Sequence, residues 1–95
     1  MSTPENTHTQ LTRLLCDVSD PELMQAVLDA LLTPKELQEV DNRIQIFQML
    51  AEHLSQREIA ERLNVGIATV TRGAQAYRSS PLFDIAPDIL VRLQH

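Results

Sequence analysis

Four arginines, Arg57, Arg62, Arg72 and Arg78, fall within residues 55–78, SQREIAERLNVGIATVTRGAQAYR, where the acidic side chains are Glu58 and Glu61. Four basic against two acidic groups give this stretch a local balance of +2. The rest of the chain carries four basic and eleven acidic side chains, a balance of −7, and the whole has a formal net charge of −5. Affinity for phosphate backbones comes from Lys and Arg, so the total argues against nucleic acid while the distribution argues for it. Local patches matter more for binding than the sum. Ile67, Ala68, Thr69, Thr71 and Arg72 set short hydroxyls, methyl groups and a guanidinium close together. Those are the groups that contact phosphates and base edges in a major groove.

Two short helices must position them. Ser55 and Glu58 have capping-box spacing, in which Ser55 accepts from the Glu58 amide while Glu58 reaches back. Ile59, Ala60 and Leu63 then face inward, and Asn64-Val65-Gly66 forms a turn, because Asn tolerates the left-handed conformation and Gly tolerates almost any. A second helix begins at Ile67 and runs to about Arg78, where Ser79-Ser80-Pro81 breaks it. Ala60 is small enough for a close crossing, Val65 fills the turn, and Val70 packs the second helix on the first. Two short helices joined by a three-residue turn are the helix-turn-helix pattern, whose second helix reads base edges with its N-terminal residues. A tight helical hairpin with a polar outer face satisfies the same spacing.

Upstream, residues 1–8 (MSTPENTH) lack periodicity and read as a disordered arm. Leu11, Leu14, Leu15 and Val18 recur at i, i+3, i+4 and i+7, which predicts an amphipathic helix ending near Ser19-Asp20. Asp20-Pro21-Glu22 starts a second helix, with a broad apolar arc of Leu23, Met24, Val27, Leu28, Leu31 and Leu32 expected to be buried on two sides. Thr33-Pro34-Lys35-Glu36 is a complete capping box opening a third helix to about His53, with no Gly to mark its end. Ile85, Ile89, Leu90 and Leu93 predict a final short helix. The expectation is an all-α fold of about six helices in one domain over residues 9–95. At 95 residues and 43% hydrophobic composition, such a chain gains burial by pairing with a second copy.

Other chemistries find little support. Cys16 is the single cysteine, so no intrachain disulfide forms, and it reads as a small buried apolar side chain. No signal-type segment and no apolar run of about 18 residues is present, so the expected compartment is the cytoplasm, with no membrane partner. His8, His53 and His95 have no metal-ligand spacing, Gly66 and Gly73 make no phosphate loop, and no nucleophile–base arrangement is readable. An enzyme is not expected. Lys35, Glu36, Glu39 and Asp41 read as a solvated helix face.

SQRE followed by Gly66-Ile67-Ala68-Thr69-Val70-Thr71-Arg72-Gly73 resembles the helix-turn-helix of the Trp repressor family. Leu32-Thr33-Pro34, with Arg43 ten positions after Thr33, is similar to that family's upstream segment. The resemblance covers about residues 30–80. It implies an intertwined homodimer that represses transcription by binding double-stranded operator DNA when L-tryptophan, an amino-acid co-repressor, sits beside each recognition helix. It implies DNA contacts from Gln56 and Arg57, a base-facing surface of Ile67, Ala68 and Thr71, and a phosphate contact from Thr69. Arg43 and Arg72 would sandwich the indole, with Arg72 also meeting the carboxylate. Thr33 and the carbonyls near Leu32 would come from the partner subunit, and Gly73 would let the ligand approach closely.

The chain departs from the family in three places. Gly73-Ala74-Gln75-Ala76 replaces a frequent Ser-Asn pair and following Ser, so a hydroxyl that would hold the ligand's ammonium is missing at Ala76; losing such a bond costs about 1.5–3 kcal/mol. Phe47, one turn after Arg43, either faces the same pocket or turns into the core. The stretch from Arg43 to Ser55 is one residue short and lacks a helix-ending Gly. Two other functions fit the residues: a helix-turn-helix DNA-binding unit of mobile-element type with a different ligand or none, and a helical dimer used for protein contacts.

Overall fold

Four short polar side chains set where the helices begin. The computed structural model describes residues 9–80. Thr9 Oγ1 accepts from the Thr12 amide at 3.3 Å and opens α1 (Gln10–Asp17). Asp20 Oδ2 accepts from the Leu23 amide at 2.8 Å and opens α2 (Pro21–Leu31), with Pro21 in the first turn. Thr33 opens α3 (Pro34–Ala51) with both halves of its capping box: Thr33 Oγ1 accepts from the Glu36 amide at 3.1 Å, and Glu36 Oε1 from the Thr33 amide at 2.8 Å. Ser55 Oγ accepts from the Glu58 amide at 3.1 Å at the start of α4 (Gln56–Leu63). Here the expected reciprocal bond does not form, because Glu58 Oε2 accepts from Arg62 Nη2 at 3.3 Å, one turn along. The helix α5 (Ile67–Ser79) follows Gly66, which supplies no side-chain cap. The described residues are thus all-helical, and no helix among them is long and apolar enough to cross a membrane.

The chain divides into two units at Leu37/Gln38, inside α3. In the first unit α1 and α2 contain no buried residue, and Cys16, expected to be buried, is exposed because it lies on the polar side of α1 between half-buried Leu15 and Val18. The expectation that α2 is covered on two sides fails: Met24, Val27 and Leu28 are half-buried, while Leu23 and Leu31 keep 53% and 50% of their surface. An arc that wide needs two covering layers to be buried.

The second unit has a core. Ile46 of α3, Ile59 of α4 and Val70 of α5 are at most 1% exposed, and Met49, Leu50, Leu54, Ala60, Leu63 and Val65 pack around them. Ala60, Val65 and Val70 thus take the packing roles their positions predict. Gly73 explains how closely α3 and α5 approach: a Cβ there would stand 3.0 Å from Ile46 Cγ2. Phe47 is half-buried, its ring centroid 5.3 Å from that of buried Tyr77. Burial pushes the Tyr77 phenol above its ordinary value.

The two helix ends in this unit share one geometry. At α4, the Asn64 amide donates to the Glu61 carbonyl and the Val65 amide to the Ala60 carbonyl at 3.1 Å, with Asn64 at φ 56°. At α3, the His53 amide donates to Leu50 at 2.9 Å and the Leu54 amide to Met49 at 3.1 Å, with His53 at φ 69°. Both are Schellman caps, each with one left-handed residue after the helix. Thus α3 ends at Ala51 and caps at His53, close to the expected end, and a histidine takes the place a glycine usually fills. The expected arm over residues 1–8 and the last helix through Ile85, Ile89, Leu90 and Leu93 lie outside the described residues.

Candidate ligand cleft and helix surface

Glu39, Asn42, Arg43 and Ile46 recur at i, i+3, i+4 and i+7 and therefore share one face of α3. On α5 the pair Thr69 and Arg72 share a face at i, i+3. These two faces, with Val65 from the turn between α4 and α5, line a cavity of about 370 Å³. Small-molecule sites begin at roughly 300 Å³. The chemistry of the lining is mixed. Ile46 and Val65 form an apolar floor, Asn42 and Thr69 offer a carboxamide and a hydroxyl, and Glu39, Arg43 and Arg72 place one carboxylate and two guanidinium groups around it. All three charged side chains are exposed, and none of them forms an ion pair among the described residues, where Arg62–Glu58 is the one such pair.

Arg43 and Arg72, expected to act together, do line the same cleft. Gly73 does not line it; this residue is buried against Ile46, so the close approach it permits is between helices. Phe47 and Ala76 are also absent from the lining, and the half-buried Phe47 ring lies against Tyr77 instead. Thr33 and half-buried Leu32 belong to the first unit, where the Thr33 side chain is engaged in its capping box. Glu39 and Asn42 were hidden in the sequence by their polarity, which suits a solvated face equally well. Their i, i+3, i+4 register with Arg43 and Ile46 was the signal that could have found them.

The remaining candidates lie on the outer side of α4 and α5. Ile67 is 52% exposed, a large apolar side chain left in solvent at the start of a helix, and Ala68 beside it is exposed too. Arg57 is exposed in the first turn of α4. Gln56 and Thr71 are half-buried and joined: the Thr71 hydroxyl donates to Gln56 Oε1 at 2.8 Å. That bond ties the first turn of α4 to α5 across the bihelical unit and orients the Gln56 carboxamide. Thr69 belongs to both surfaces, lying one residue past Ala68 and lining the cleft. Among the described residues no cluster of His, Cys, Asp or Glu could hold a metal ion.

The sequence model of the family described as "Trp repressor protein" matches residues 6–82, which include the whole cleft and both short helices. A "Trp operon repressor homolog" of Xylella fastidiosa (strain 9a5c) is 32% identical over 81 residues, 84% of this chain and 88% of the relative. Proteins of the same description from Aliivibrio fischeri (strain MJ11) and Vibrio parahaemolyticus serotype O3:K6 (strain RIMD 2210633) are 36% and 37% identical. They cover 75% and 74% of this chain, and 67% and 69% of their own lengths are matched. No solved structure matches the chain significantly. With four-fifths of its length under one family's pattern, and relatives of one description aligned along it, the chain belongs to the Trp repressor family.

Proposed function

We propose that this chain is a sequence-specific DNA-binding transcriptional repressor that acts in the cytoplasm as a homodimer and takes L-tryptophan as co-repressor. One observation carries the reading: the cleft lies behind the exposed first turn of α5, so that Thr69 and Arg72 line it while Ile67 and Ala68 stay in solvent. Whatever fills the cleft touches the helix that would enter a major groove. In this reading α4 and α5 are a helix-turn-helix, and Gln56, Arg57, Ile67, Ala68 and Thr71 face the DNA. Thr69 meets a phosphate.

The chemistry of the cleft suits a flat aromatic amino acid. The guanidinium planes of Arg43 and Arg72 stack on the two faces of the indole, an attraction of about 0.5–2 kcal/mol per contact. Arg72 also donates to the ligand carboxylate, a charge-assisted bond. Leu32, through its carbonyl region, and Thr33 are contributed by the second copy. Gly73 serves by holding α5 against Ile46, so that a wedge at the cleft tilts α5 rather than being absorbed by slack packing. A dimer carries two such helices, which must stand roughly 34–36 Å apart to enter successive major grooves. A small tilt at each cleft then decides whether both engage.

The test is fluorescence anisotropy with a duplex selected by this protein from random-sequence DNA, titrated with and without L-tryptophan. The expected result is at least tenfold tighter binding with ligand, and an affinity that falls linearly in log–log against salt. Equal affinity in both arms removes the co-repressor. Failure to select any duplex with folded protein removes the DNA role and leaves a helical dimer for protein contacts. Arg57→Ala should weaken DNA and spare tryptophan, whereas Arg72→Ala should damage both.

A further inference from the structure

The cleft contains an acidic group that the two-arginine sandwich does not use. Glu39 stands one helical turn before Arg43 on the same face of α3 and lines the cavity together with the α5 residues Thr69 and Arg72. Its carboxylate forms no ion pair among the described residues, although Arg43 is at the i+4 position where a helical pair could close. At the other end of the question is Ala76, which supplies no hydroxyl and does not line the cleft. An α-amino acid brings a carboxylate and an ammonium. Two guanidinium groups answer the first, and Glu39 is the one anionic group among the described lining residues to answer the second.

We propose that Glu39 is the ammonium acceptor of this cleft and the residue that makes it select zwitterionic aromatic amino acids over the corresponding aromatic acids. The proposal rests on the reading of the cleft as the ligand site. A carboxylate accepting from an ammonium makes a hydrogen bond between two charged partners, the stronger class of such bonds. The same carboxylate repels a ligand that carries only a negative charge. Selectivity therefore arises twice from one side chain, by attraction of the right ligand and repulsion of the wrong one. A carboxylate also differs from a hydroxyl in its consequence: it makes the cleft discriminate by charge and not only by hydrogen bonding.

The experiment is calorimetric titration of the full chain with L-tryptophan and with indole-3-propionate, which is tryptophan without its ammonium, for the native protein and for Glu39→Gln. Glu39 is exposed, so the substitution leaves the core untouched. The native chain should prefer L-tryptophan, and Glu39→Gln should weaken L-tryptophan by roughly ten- to a hundredfold, the span of bonds to charged groups. Indole-3-propionate should bind the variant as well as or better than the native chain. The ratio of the two affinities within one protein sample is insensitive to partial unfolding. If Glu39→Gln leaves L-tryptophan affinity unchanged, or weakens both ligands equally by loosening Arg43, Glu39 is not the acceptor and the cleft reading stands. If the native protein binds neither ligand, the cleft reading itself falls and this proposal with it.

Discussion

Residues 9–37 and residues 38–80 are both helical, and both begin their helices with side-chain caps, yet they bury their apolar groups very differently. Leu11, Leu14, Leu23 and Leu31 are between 40% and 53% exposed, while Ile46, Ile59 and Val70 are at most 1% exposed. The second unit achieves this with small residues at the crossings, Ala60, Gly73 and Ala74, which let short helices approach until a handful of aliphatics closes a core. The first unit has larger side chains and stronger leucine patterning, yet no residue of α1 or α2 is buried. Hydrophobic content alone does not make a core; proximity does. A leucine-rich pair of helices with so much surface left open is what an intertwined dimer would use, and the proposed homodimer gives that surface its purpose.

The contrast can be broken from either side. The largest effect is expected at Ile59, fully buried where α4 meets the core: Ile59→Ala should cost about 2–5 kcal/mol in urea unfolding at any protein concentration. Leu23→Asp tests the other unit. It should raise the dimer dissociation constant by the equivalent of about 1.5–3 kcal/mol and make the melting temperature depend more steeply on protein concentration. A loss at Leu23 that does not change with concentration would mean that its exposed surface has no partner. Gly73→Ala should be next: a helix-propensity gain of about 1 kcal/mol is opposed by overpacking against Ile46 of about 1–3 kcal/mol, for a net loss near 1 kcal/mol. A gain instead would show that the Ile46 side chain yields. The smallest effect is at the end of α3, where His53→Gly should stabilise by about 0.5–1 kcal/mol, seen as a raised urea midpoint, by relieving a left-handed L-residue.

What could be read from the sequence follows the range of the interaction involved. Asp20, Thr33 and Ser55 were readable as caps because a cap is a contact across three residues, and Asn64 because its side chain tolerates the left-handed region. Thr9 gave the same kind of signal without an acid three residues later to complete it. The end of α3 near His53 was legible from where the apolar pattern stops, but its cap was not, because glycine is the usual sign, although histidine is enriched at positive φ and Leu54 offers the accompanying apolar contact. The reciprocal half of the Ser55 box failed because Arg62 competes for Glu58, a contest that spacing alone does not decide. For the site, Arg43 drew notice only through family resemblance. Glu39 needed the structure, since a charged residue on a helix is ordinarily surface. Exposure of the leucines in α1 and α2 depends on what packs over them, and periodicity carries no information about that.

Ile46 has a further consequence. It is the centre of the core, it is the surface against which Gly73 seats α5, and it forms part of the cleft floor. Natural variation at this one position therefore cannot adjust folding and sensing separately. A lineage that drifts from isoleucine to valine to tolerate warmer or colder growth would alter its ligand's seat in the same step, and a lineage selected for a new ligand would inherit a new stability. Divergence of sensing within such proteins should therefore run through the polar rim, where a change is invisible to the fold, and leave the floor alone.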